Sequence, residues 1–70
     1  MNKISINIDG HSTSISIEKE FLDELDKISK EMKISRNKLV SNIDKNFNAD
    51  TINLSSKIRI YILKYRIENN

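Results

Sequence analysis

The side chains able to carry chemistry in this 70-residue chain are few. A single histidine, His11, follows Asp9-Gly10. A metal ligand or pH switch is one role for it, but a lone histidine beside a turn is far more often a turn residue. Asp23, Glu24 and Asp26 cluster as acid/base candidates, yet nothing apolar surrounds them to shift a pKa, so they read as a solvated helix face. Lys57, Arg59, Lys64 and Arg66 gather near the C-terminus as a candidate phosphate patch, which solubility explains equally well. Ser12, Ser14 and Ser16 recur at every second position and place hydroxyls on one side of an extended segment. There is no nucleophile–base pair, phosphate loop or metal constellation. The chain reads as non-enzymatic, with no cofactor and no metal.

The elements that position these groups begin with residues 3–17, KISINIDGHSTSISI, two alternating runs hinged at Asp9-Gly10. Asp-Gly between alternating apolar residues signals a two-residue hairpin, because a type I′ turn needs φ > 0 at both central positions. In that register Ile8 faces His11, Ile6 faces Thr13, Ile4 faces Ile15 and Lys3 faces Ser16. Ile4, Ile6, Ile8, Ile15 and Ile17 then share one face. Lys3, Ser5, Asn7, Ser12, Ser14 and Ser16 share the other, and a slip of one residue would destroy the segregation.

Phe21, Leu25, Ile28 and Met32 recur at helical spacing within residues 18–33, with acids in the first turns and lysines in the last. Asp23–Lys27 and Asp26–Lys30 are i,i+4 pairs on its solvent side. Lys33-Ile34 is a tight connection. Ser35 suits an N-cap, with Ile34 stapled to Leu39, and Leu39, Val40, Ile43 and Phe47 form the stripe of a second helix. Residues 46–53 are polar and read as a loop. A third helix, capped by Asn53 or Ser55, runs to about Ile67. Ile58, Ile60 and Ile62 alternate like a strand, whereas Leu54, Ile58, Tyr61 and Tyr65 fit a helical stripe, and length favours the helix. Ile60, Leu63 and Ile67 lie off that stripe, which places the helix between subunits.

The expected architecture is α+β in the order β-β-α-α-α, one domain over residues 1–70: a hairpin at 1–17, a two-helix core at 18–47 and a C-terminal helix at 53–68. A chain this short buries little surface, and with no cysteine for disulfides or a thiolate zinc site, dimerisation is the remaining remedy. The second strands are expected to pair across a two-fold axis near Ile15. Ile15, Ile17, Phe21, Leu25, Ile28, Val40 and Ile43 would form the dimer core. The net charge of +2 says little, but residues 18–33 hold six acids against four lysines, while the last quarter is basic. No secretory signal or membrane-length apolar run is read, so a cytoplasmic protein is expected.

This order of elements resembles the ribbon-helix-helix fold of the Arc, MetJ and CopG superfamily of repressors. The likeness is carried by Ile15 and Ile17 in the strand, Phe21, Leu25 and Ile28 in the first helix, and Ser35 before Leu39-Val40. Nearer still is a bacterial ribbon-helix-helix domain family with an extra N-terminal strand and a third helix. Its pattern matches Gly10, His11, Thr13, Ser14, Ser16, Glu18 and Phe21, then Ser35, Asn37, Leu39, Val40, Ile43 and Asp44, then Asn53, Leu54, Ser55, Ser56 and Arg59. Two positions depart from it: Ser12 stands where a basic residue is frequent, and Leu22 where Trp is.

The resemblance implies an intertwined homodimer that binds double-stranded DNA and regulates transcription. Ser12, Ser14 and Ser16 would face bases, and Ser35, Arg36 and Asn37 would hold phosphates at a helix N-terminus, a ready anion site. Against this, two hairpins side by side make a four-stranded sheet, ordered 1-2-2′-1′, wider than the two-stranded ribbon that the major groove admits. Serines also discriminate bases poorly. The alternative is a protein-interaction, adaptor or antitoxin-like module that keeps the dimer fold without base readout.

Overall fold

A computed structural model describes residues 2–8, 10–46 and 53–69. Two strands, β1 (Asn2–Ile8) and β2 (His11–Ile17), precede three helices: α1 (Lys19–Met32), α2 (Arg36–Asn46) and α3 (Leu54–Glu68). The strands form an antiparallel hairpin in the expected register, with Ile4 opposite Ile15, Ile6 opposite Thr13 and Ile8 opposite His11. Gly10 takes φ +83°, the conformation the hairpin needs and L-residues resist. Asp9, the other half of the expected I′ turn, lies outside the described residues.

The hairpin turns its isoleucines onto the helices, so that β1 packs on α2 and β2 on α3. Ile6, Ile15 and Ile17 are buried, and Ile4 and Ile8 pack at the margin. Beneath them lie Leu25 and Ile28 of α1 and Leu39, Val40 and Ile43 of α2, all buried. Phe47, the last of the α2 stripe, is outside the described residues, as are residues 47–52 of the expected loop. Of the residues expected in a dimer core, six are buried within this chain, and Phe21 is half-buried at its edge.

Each helix boundary has a local cause. The α1 C-terminus stops at Lys33, which adopts the left-handed conformation at φ 59°. There Lys33 N–H donates to the Lys30 carbonyl and Ile34 N–H to the Ser29 carbonyl, a Schellman closure that tucks Ile34 against the core. Ser35 caps α2, its hydroxyl accepting from Lys38 N–H at 3.0 Å. Asn53 caps α3 by accepting from Ser56 N–H at 2.9 Å, which frees Ser55 for another bond.

The helical reading of residues 57–63 holds. Leu54, Ile58, Tyr61 and Tyr65 pack toward the core, and Ile62, which the sequence stripe omitted, is buried with Ile58. A strand would have sent Ile58, Ile60 and Ile62 to one side, whereas the helix leaves Ile60 half-buried and Leu63 and Ile67 exposed. Met32 also departs from expectation, being 42% exposed, while Ser29 is buried in its stead with its hydroxyl donating to the Asp26 carbonyl. No described helix is long and apolar enough to cross a membrane.

The turn makes a direct test. A Cβ at Gly10 meets open space, so the cost of substitution there is backbone strain alone. Gly10→Val is expected to lower unfolding stability by about 1–2 kcal/mol in a urea titration. Gly10→Asn should lose much less, since Asn tolerates positive φ.

Candidate nucleic-acid interface

The hairpin register sets the polar face. Ser12 sits opposite Asn7, Ser14 opposite Ser5 and Ser16 opposite Lys3, and all six side chains are exposed. The resulting surface is made of hydroxyls and amides, with Lys3 its one ammonium. Such groups hydrogen-bond in several geometries, and serine in particular accepts more than one base.

The first turn of α2 is held against the edge of this surface by Asn37. Its Oδ1 accepts from Asn7 N–H at 2.8 Å, and its Nδ2 donates to the Asn7 carbonyl at 2.7 Å. The side-chain amide thus imitates a neighbouring strand residue and occupies both outward-pointing backbone groups of Asn7. The sequence marked Asn37 only through the resemblance, and only as a phosphate contact. Its amide pair is a contact between residues 30 apart in the chain, which no local pattern announces.

Ser35, Arg36 and Asn37 lie together at the α2 N-terminus, beside β1 and not beside β2. Between them and the serines of β2 stands the width of β1, about 4.8 Å in strand spacing. Arg36 reaches Asp26 at 3.4 Å, with both side chains substantially exposed. An ion pair this long and this wet adds little stability, so turning the guanidinium toward another anion costs little. First-turn amides have no partner within their own helix, and here Ser35 Oγ satisfies that of Lys38.

The basic residues of α3 do different work from a phosphate patch. Lys57 pairs with Asp44 at 3.1 Å, Arg59 with Glu18 at 2.8 Å, and Arg66 with Glu24 at 3.1 Å and Glu31 at 3.2 Å. These contacts fasten α3 to α1 and α2 along its length. Arg59 also lies 5.9 Å from the centre of the Phe21 ring. The acidic face of α1 is therefore partly consumed by α3, with Asp23 paired to Lys19 and Asp26 to Arg36. On the far edge of the hairpin, the Ser55 hydroxyl donates to the Ser16 carbonyl at 2.9 Å.

The Arg59 hydrogen bond is the main cause that holds the Glu18 carboxyl below its ordinary value of 4.5. A carboxyl depressed in the folded state adds stability that is present above the unfolded value and lost as pH falls through the folded one. Melting temperature should therefore drop on acidification below about pH 4.5, and Glu18→Gln should make that acid limb shallower. An unchanged acid limb in a calorimetric pH series would show that this pair does not contribute.

Among known proteins, the family model described as a ribbon-helix-helix domain matches residues 1–66. No curated protein and no solved structure gives a significant match. The matched span takes in the hairpin, α1, α2 and nearly all of α3. The chain belongs to the ribbon-helix-helix domain family.

Proposed function

We propose that this protein is a homodimeric DNA-binding regulator that lays the polar face of its hairpin over the duplex and draws most of its affinity from phosphates. The observation that carries this reading is the Asn37 clamp, which fixes an anion-favouring helix N-terminus and Arg36 at the border of an exposed hydroxyl and amide sheet face. In a dimer paired through β2, the four strands span about 15 Å between outer axes, against a major groove of about 12 Å. The α2 N-termini then flank the sheet on both sides, where the phosphate backbones run. Ser12, Ser14 and Ser16 face the groove floor, while the Arg36 side chain and the amides around Ser35, Arg36 and Asn37 reach for phosphate. Phosphate contacts set position, and the serines add modest preference.

A second reading is favoured by a separate observation. Leu63 and Ile67 are 61% and 69% exposed on α3, an apolar surface that DNA does not use. It suits the interaction or antitoxin-like alternative, in which the same dimer presents α3 to another protein.

Fluorescence anisotropy with random duplex at low salt discriminates the two. DNA binding should weaken with salt at a slope of about −0.9 in log K per phosphate neutralised. Arg36→Ala should weaken binding to all sequences alike and flatten that slope, while Ser14→Ala should have a smaller effect confined to a preferred site. Absence of binding at tens of micromolar protein would sink the DNA reading and promote the alternative. Sedimentation equilibrium should find a dimer at micromolar concentration.

A further inference from the structure

Both outer edges of the hairpin carry a polar side chain from a helix first turn: Asn37 on Asn7 of β1, and Ser55 on Ser16 of β2. In an antiparallel ladder, alternate residues aim N–H and C=O away from the partner strand. The Asn37 and Ser55 bonds identify which ones: Lys3, Ser5 and Asn7 on β1, and Ser12, Ser14 and Ser16 on β2. With Asn7 held and the Ser16 carbonyl engaged, β2 keeps Ser12 and Ser14 as its fully outward pairs, and β1 keeps Lys3 and Ser5. A groove runs along β2 between residues 13–16 and the start of α3 at Asn53, Leu54, Ser55 and Arg59. The Ser55 hydroxyl bridges that groove at Ser16, in the place where the N–H of a neighbouring strand would stand.

Resting on the dimeric reading proposed above, we infer that a second copy of this chain pairs with β2 in a single register centred on Thr13, and that Ser55 is the stop that fixes it. Two-fold antiparallel pairing centred on Thr13 sets Ser12 of one copy opposite Ser14 of the other and uses only the open groups. Centring on Ser14 sets Ser16 opposite Ser12 of the other copy, and centring on Ile15 sets it opposite Ser14. Either needs the carbonyl and the space that Ser55 fills. The axis near Ile15 expected from the sequence is therefore moved two residues toward the hairpin tip. Charge selects β2 over β1 for a like partner. Residues 12–14 are uncharged, and their hydroxyls favour one another across strands. A two-fold pairing at β1 brings Lys3 of each copy together. Ser12 and Ser14 of both copies then make the centre of the polar face, and Ser16 lies outside the pairing, beside α3.

The chain has no cysteine, so single-cysteine variants of the whole protein report the register directly. Thr13 and Ser14 are exposed, and substitution there spares the core. Centred on Thr13, the two Thr13 Cα atoms face each other at about 4.5 Å, within disulfide reach, while the two Ser14 positions are diagonal at about 7–8 Å. Under diamide, Thr13→Cys should crosslink at least about tenfold faster than Ser14→Cys, and adding Ser55→Ala should erode that ratio as the strands gain freedom to slide. Faster crosslinking of Ser14→Cys, or a dimer in which neither variant crosslinks, overturns the register. A ratio untouched by Ser55→Ala overturns the role of Ser55. A wild-type monomer in sedimentation equilibrium removes the dimeric reading and the register with it, a result distinct from a dimer that crosslinks in the wrong place.

Discussion

A two-stranded hairpin is not stable alone in water, and each of its edges presents backbone donors and acceptors with no ladder partner. The rest of this structure follows from how those two debts are met. The apolar face is discharged onto α2 and α3, where Ile6, Ile15 and Ile17 bury against Val40, Ile43, Ile58 and their neighbours. Each fully buried isoleucine contributes roughly 1.5–3 kcal/mol relative to exposure, which makes the helices a condition of the sheet. The edges are met by two polar residues from helix first turns, Asn37 and Ser55. Those residues also orient the helices, since a bidentate amide on Asn7 leaves α2 one way to approach β1.

Helix α3 explains the uneven charge along the chain. Its basic residues meet acids displayed by Glu18, Glu24, Glu31 and Asp44, so the opposed charges of the two halves become bonds between elements. These are part-exposed pairs and individually weak. Their effect is directional: they set the rotation of α3 so that Ile58 and Ile62 face inward and Leu63 and Ile67 face out. That rotation covers β2 from one side and places Ser55 at its edge.

For recognition of DNA, the consequence is a division of labour. The sheet face offers hydroxyls and amides that adapt to many base edges, and the α2 first turn offers positive potential at a fixed distance from it. Specificity in such a surface depends on where the two sheets meet and how far apart the two α2 N-termini are held, more than on any single side-chain fork. Strand register is thus a functional quantity here.

The hairpin, its register, the Ser35 cap and the stripe of α1 were legible because each is a local pattern. Alternation with a period of two, a Gly at a turn and a Ser before a helix all act within a few residues. The helical state of residues 57–63 was nearly legible, but Ile62 escaped because its burial depends on which side of α3 the ion pairs turn inward. Ser12, Ser14 and Ser16 were readable as an exposed row from alternation alone. That Lys57, Arg59 and Arg66 are fasteners, that Asn37 holds a strand edge, and that Ser55 reaches Ser16 were decided only by the tertiary structure. Each of those contacts joins residues between 13 and 42 positions apart. The sequence determined which faces are apolar and where each element begins. Only packing decided which polar groups were left facing one another, because that depends on the angles at which the finished elements meet.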